Sequence, residues 1–221
     1  MQFEIQPPRR GQRPVLSRAA IGEAALAELD GISSARVAAR LGVGHSSLYR
    51  YVNSRADLVR LAVDFALEGE AWPEPRENWR EYLKGCVDAF WQFLSRYPAA
   101  AQEILVMRPS PQKINEATLN IAENLLTFGF SPKDAFMAVD LLGHLVIESM
   151  VSEELYRSRG RHGRPALEEQ RAAMSANLSS PLAEVSRTFL DQGMYSLMMS
   201  RAELLMDGLD LRLTKEPAQT H

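Results

Sequence analysis

Cysteine is nearly absent from this 221-residue chain, with Cys86 standing alone. That excludes an intrachain disulfide framework and any zinc site built from several cysteines, and it fits a reducing compartment. Cys86 sits on an apolar stripe, where a thiol is ordinarily inert. There is no Gly-rich nucleotide loop, no metal-ligand cluster and no nucleophile elbow, so an enzyme finds little support. No stretch approaches the roughly 20 apolar residues that span a bilayer, and the opening MQFEIQPPRRGQRP has no apolar run of a signal peptide. The expectation is a cytoplasmic protein with no membrane partner and no cofactor. Alternating strand patterns, repeats and long low-complexity tracts are missing too.

What is present is a 46% hydrophobic content, enough for a sizeable core, and an uneven charge. The net charge of −3 conceals a basic start: residues 1–60 hold nine arginines against five acids, +4, leaving −7 for the rest. A basic segment on an acidic body suits a small DNA-reading head on a larger domain, because phosphate neutralisation is local to the contact.

Residues 1–14, with Pro7, Pro8, Gly11 and Pro14 among Arg9, Arg10 and Arg13, read as a flexible basic arm. Ser17 is the N-cap of a first helix that carries Ile21, Ala25 and Leu29 and stops at Asp30-Gly31. A second helix starts at Ser33 or Ser34, buries Val37 and Leu41 and ends at Gly42. A third, HSSLYRYV, has Leu48 and Val52 on one side. A fourth, capped by Asn53 or Ser54, places Leu58, Leu61, Ala62 and Phe65 at helical spacing. The proline-bearing EAWPEPRE at 70–77 breaks the periodicity, giving a head at 15–70 and a body at 71–221. In the body, Trp79, Tyr82, Leu83, Cys86, Phe90, Phe93, Leu94 and Tyr97 form one amphipathic stripe. Further helices are predicted at about 99–107, 112–128, 132–157, 166–178 and 182–207.

Residues 33–52 have the layout of a helix-turn-helix: a short helix, a glycine turn, and a second helix with a small or polar N-terminus. One apolar side, Leu48 and Val52, must hold that second helix to the protein while the other reaches DNA. Ser46, Tyr49, Arg50 and Asn53 point away from Leu48, with Gly44 and His45 at the leading end. These are mostly the hydrogen-bonding groups that base edges and phosphates require.

The run LSRAAIGEAALAELDGISSARVAARLGVGHSSLYRYVNSRADLVRLAV resembles the DNA-binding region of the tetracycline-repressor (TetR) family over roughly residues 10–65. The most diagnostic part is the string from Leu48 to Leu58, which joins a buried Leu, a Tyr, a helix cap and a basic residue at fixed offsets. The resemblance implies an all-α protein, with a three-helix helix-turn-helix DNA-binding domain joined to a larger ligand-binding and dimerisation domain. It implies that Tyr49 and Arg55 grip phosphates, that Ser33 or Ser34 bonds one, and that His45, Ser46 and Ser47 touch bases or adjacent phosphates. Tyr51 stands where many members have His, and Arg50 reaches either a base or a phosphate. Core packing is the alternative for Tyr49 and Tyr51, and a solvated first turn for Arg55. Gly44, at the start of the recognition helix, departs from the family pattern.

For the body, the resemblance implies a small-molecule effector and a homodimer through helices near 132–157 and 182–207. Phe136, Val139, Leu142, Val146 and Met150, with Leu182, Val185, Phe189, Leu197 and Leu204, supply the apolar sides. Trp79, Phe90, Trp91, Phe93, Met107, Phe128 and His144 are the candidates for contact with an apolar or aromatic effector, each with core packing as its alternative. His144 and Glu148, four apart, suit metal ligation less well than a helix-stabilising pair. The run SRGRHGR at 158–164 reads as a solvent loop. The function expected is a repressor of a palindromic operator, released by its effector; an enzyme and a non-regulatory DNA-binding protein are the rivals.

Overall fold

The computed structural model describes residues 16–158, 160, 165–175 and 182–213. The arm at 1–14 and most of the 158–164 loop lie outside them. The described residues are helical, with no strand, and the chain divides into two units, Met1–Ala66 and Leu67–His221.

The first unit holds α1 (Arg18–Ala27), α2 (Ser34–Leu41), α3 (His45–Leu48) and most of α4 (Arg55–Glu68). Ser17 Oγ accepts the Ala20 N–H at 3.1 Å and Ser33 Oγ accepts that of Arg36 at 3.3 Å, so both helices start on serine caps. Gly42, at φ +65°, ends α2 in the left-handed conformation, and the Val43 N–H returns to the Ala38 carbonyl as in a Schellman motif. Ser54 caps α4: its Oγ accepts the Asp57 N–H, while the Asp57 carboxylate reaches back to the Asn53 N–H at 2.8 Å. Ile21, Ala25, Leu29, Val37, Leu48, Val52, Leu58, Leu61 and Ala62 form the core; Leu41 and Phe65 are only half-buried.

The third helix is shorter than its sequence pattern suggests. After Leu48 the chain continues as tightened turns, with i→i−3 bonds from Arg50 to Ser47 and from Tyr51 to Leu48. Leu48 and Val52 are nevertheless both buried.

The second unit contains α5 (Trp79–Arg96), α6 (Pro98–Val106), α7 (Gln112–Thr127), α8 (Pro132–Arg157), α9 (Ala166–Ser175), α10 (Leu182–Phe189) and α11 (Met194–Leu213). Asn78 caps α5 through Oδ1 to the Arg80 and Glu81 N–H groups, and the stripe from Tyr82 to Leu94 turns inward. The long helix α8 packs on α5, α6, α7, α9 and α11. Its start is tied to the end of α11. Burial works against the Asp134 carboxylate, but the Arg212 guanidinium and the Ser131 hydroxyl hold its pKa below the usual range.

Two expectations need correction. The helix anticipated at 182–207 is two helices, parted by a 3-10 turn at Leu190–Gln192 and by Gly193 at φ +79°, a conformation that glycine adopts without a Cβ penalty. α8, contrary to the expectation that no such run exists, is long and apolar enough to cross a bilayer by length and composition. Its apolarity is explained in part by burial inside the unit: Ala135, Ala138, Val139, Leu142, Val146, Ile147 and Met150 are core residues.

One close approach sets the packing of the head. A Cβ added at Gly22 would lie 2.8 Å from the Leu61 carbonyl oxygen and 2.9 Å from the Phe65 Cβ, so α1 meets α4 where only glycine fits. Gly22→Ala gains helix propensity of about 1 kcal/mol, but backbone atoms must then move, at a cost of about 1–3 kcal/mol or more. The variant is expected to lower the stability of the head in thermal or urea unfolding; an unchanged or raised midpoint would show that the two helices separate freely.

Candidate nucleic-acid interface and cavity

The polar side of the helix-turn-helix is built from the N-termini of α2 and α3. Leu48 is fully buried and anchors α3, leaving Gly44, His45, Ser46, Ser47 and Arg50 exposed; Tyr49 is 49% and Tyr51 40% exposed. Both tyrosines therefore stand on the surface of the chain. His45 Nε2 lies 2.8 Å from Ser34 Oγ, and the His45 ring meets Tyr49 edge-on at 4.9 Å between centroids. Ser34, His45 and Tyr49 are thus one connected cluster. Ser33 is occupied as the α2 cap through its oxygen, which leaves its hydroxyl proton to donate.

Charge around this cluster is partly neutralised. Arg40 and Arg36 both bond Glu28 at 2.6–2.7 Å, and Arg36 also donates to the Asp30 and Gly31 carbonyls, fixing the α1–α2 connection. The Arg40 and Arg36 bonds hold the Glu28 carboxyl below the usual range. Among the described residues Arg50 takes part in no ion pair, so its charge is available to a phosphate or a base. Arg55 also serves the fold: its Nε donates to the Ile32 carbonyl at 3.3 Å, tying the start of α4 to the loop before α2. Gly44 begins α3 at φ −69° without a side-chain cap, and a Cβ there would meet nothing closer than Ser46 Oγ at 3.9 Å. Nothing in the chain's own packing requires that glycine.

The second unit encloses a cavity of about 290 Å³ between α5, α6, α7, α8 and the segment before α5. That is near the small end of the range, about 300–1,000 Å³, of small-molecule sites. Leu83, Phe90, Ile104, Ile121, Val139 and Ile147 are among its apolar walls, and Arg108, Asn115, Thr118, Asp140 and His144 bring polar groups. Of the sequence candidates, Phe90 and His144 line it.

Trp79, Trp91, Phe93, Met107 and Phe128 do not line this cavity. Trp79 lies edge-on to Phe130 at 5.1 Å, with the Arg80 guanidinium over its ring. Trp91 packs on Tyr195 of α11, Phe93 between Phe90 and Tyr97, and Phe128 near Tyr82, while Met107 is buried at the end of α6. Trp79, Trp91 and Phe128 thereby join α5 to its neighbours. His144 pairs not with Glu148 but with Asp140: its Nδ1 is 2.8 Å from the Asp140 carbonyl oxygen and 3.5 Å from the carboxylate. Among the described residues no group of three or more His, Cys, Asp or Glu is placed to hold a metal.

Sequence reasoning missed Trp72, which it assigned to an inter-domain break. The segment folds back along α5: Glu70 pairs with Arg96 at 2.6 Å, Pro73 lies over Gly85, and the Trp72 ring sits 6.2 Å from Phe90 at the cavity wall. A Trp directly before a proline was the available signal. Cys86 also lines the cavity, but burial pushes its thiol up to about 12, so it stays protonated at neutral pH and is no nucleophile.

No family model matches the chain. It is 26% identical over 211 residues to the class D tetracycline repressor of Escherichia coli, covering 90% of this chain and 91% of that protein. It is 30% identical over 146 residues to the class G tetracycline repressor of Vibrio anguillarum, covering 64% of this chain and 69% of that one. Among solved structures, apo ActR of Streptomyces coelicolor superposes with a TM-score of 0.77 at 20% identity, over 91% of this chain and 99% of its own. The head presents polar groups around a buried anchor, the body is a helical unit with a largely apolar cavity, and the relatives are transcriptional regulators: the chain belongs to the tetracycline-repressor family.

Proposed function

We propose that this chain is a ligand-responsive repressor: as a homodimer it binds a palindromic operator through the α2–α3 surface, and a small molecule in the α5–α8 cavity releases it. The observation that carries this reading is the pairing of two features in one chain. Ser34, His45, Ser46, Ser47, Tyr49 and Arg50 expose polar groups around a helix held by Leu48, and a separate unit carries an apolar cavity with a few polar groups. Support comes also from ActR, whose structure is known in complex with actinorhodin.

For the dimer, the apolar sides named from the sequence divide. Val139, Leu142, Val146, Met150 and Leu197 are buried within the chain and cannot form an interface. Phe136, Leu182, Val185 and Leu204, also named from the sequence, are exposed, and Met137, Leu141, Leu155 and Leu211 join them as outward candidates, with Leu204 74% exposed. A second copy would cover them, in the isologous manner of two-fold dimers.

The operator is to be found by selection from random duplexes at several salt concentrations. A palindrome with half-sites about one turn, 34–36 Å, apart is expected; recovery of no sequence by the folded protein would overturn the reading. On that operator Tyr49→Phe should weaken binding about tenfold by removing a charge-assisted hydrogen bond. Arg50→Ala should lower the salt slope by about one. Arg55→Ala mixes a lost contact with a loosened α1–α2 loop and is the less informative variant.

Effector release is tested at Gly143. This residue lies inside α8 on the cavity wall, and a Cβ there meets nothing within 4 Å. Gly143→Leu should preserve the fold, gain helix propensity, and abolish release of operator by any compound that releases the wild type. A full response in the variant would place the effector elsewhere. Leu204→Glu, in turn, is expected to yield a folded monomer in sedimentation equilibrium; a dimer as stable as wild type would move the interface off α11.

A further inference from the structure

The chemistry of the cavity walls restricts what can occupy them. One end is aromatic: Trp72 and Phe90 stand 6.2 Å apart, tilted by 49°, so a flat ring can meet a ring face or edge there. Another feature is cationic. Among the described residues lining this cavity Arg108 is the one Arg or Lys, and among the described residues it forms no ion pair. Its Nη1 donates to the Met107 carbonyl at 2.6 Å and to that of Leu105 at 3.4 Å, which fixes the guanidinium on its own turn. The Nε and Nη2 groups, the edge that matches a carboxylate bidentately, have no partner among the described residues.

Among the described residues lining the cavity Asp140 is the only carboxylate, and it sits beside His144. A carbonyl oxygen accepts only, so the bond from His144 to the Asp140 carbonyl puts the proton on Nδ1 and makes Nε2 of the neutral ring an acceptor. The cavity thus combines a donor-only cation, an acceptor that suits a hydroxyl, and the amide of Asn115. A cationic ligand would face Arg108, with only the Asp140 carboxylate to balance it. A polyphosphate would find a single arginine.

We propose that the effector is a compact aromatic organic anion, its ring system against Trp72 and Phe90 and its acid group on Arg108. This assignment rests on the reading of the cavity as the effector site. Binding is a reversible ion pair plus ring burial, with no covalent step.

The test is calorimetric titration of the full-length protein with naphthalene-2-carboxylate and anthracene-2-carboxylate, each against its neutral carboxamide. On the wild type at least one carboxylate is expected to bind about tenfold or more tightly than its carboxamide. Arg108→Gln should reduce that preference to within about twofold, with unchanged circular dichroism, and Arg108→Lys should retain part of it. Gly143→Leu should remove binding of the preferred carboxylate. Equal affinities for acid and amide, a preference that survives Arg108→Gln, undiminished binding to Gly143→Leu, or no binding of either acid to the folded protein would each overturn the assignment. The two readings separate cleanly: if Gly143→Leu abolishes release of operator by an effective compound while no acid is preferred, the cavity stands and the anion fails.

Discussion

The packing of α8 is the constraint on which the larger unit depends. One run of 26 residues meets α5, α6, α7, α9 and α11, forms a wall of the cavity, and still leaves Met137, Leu141 and Leu155 uncovered. A helix that serves surfaces on several sides cannot keep a clean polar stripe, which is why its composition alone would pass for a membrane span. Its position is set by polar groups at its start. Ser131 caps the first turn and shares Asp134 with Arg212, joining the beginning of α8 to the end of α11. Further along, Tyr195, Lys84 and Arg80 stitch α11 to α5 through Asp88, Glu203 and Asp207. Exposed pairs of this kind add little stability individually. Their contribution is to register, which decides which sides of α8 and α11 face outward.

The head solves a smaller problem with different means. A helix of four residues has almost no stability of its own, since nucleation costs more than one turn returns. α3 persists because Leu48 and Val52 are buried and because the Gly42 turn delivers it in a fixed direction. The His45–Ser34 bond then fastens its first residue to the start of α2. Substituting His45 would therefore disturb Ser34 and Tyr49 as well as removing an imidazole.

Much of this was legible in the sequence and the rest was not, for identifiable reasons. Serine caps at 17 and 33, the glycine after Leu41 and the burial of Leu48 follow from local chemistry, which acts over three or four residues wherever the chain goes. Periodicity also shows that the α5 stripe is apolar. It cannot show what that stripe meets: Trp91 goes to Tyr195, more than a hundred residues away, while Phe90 faces a cavity whose other walls come from α6, α7, α8 and Trp72. The same limit put Val139, Leu142 and Val146 at an interface when they belong to the core. The break at Gly193 was hidden because the apolar spacing of Val185, Phe189 and Leu197 runs straight through it. A left-handed glycine announces itself in a turn-rich context, and here its neighbours Asp191 and Gln192 were the faint signal.

A cavity of this size also limits how a repressor can be switched. A ligand changes DNA affinity only by the difference in its affinity for two protein states, and a swing from 1:99 to 99:1 needs a ratio of about 10⁴, roughly 5.5 kcal/mol. Uniform burial of a small apolar molecule supplies affinity to both states alike and so shifts nothing. A directional contact is different, because a guanidinium edge or an imidazole acceptor loses most of its value when moved by an ångström. Arg108 is fixed by its own turn at the end of α6, His144 by α8, and Trp72 belongs to the segment that directly follows α4 in the chain. A ligand that must touch all three at once favours one arrangement of α6, α8 and that segment over others. On the proposed reading of the cavity, its few polar groups add directional discrimination between states, and its aromatic surfaces add affinity.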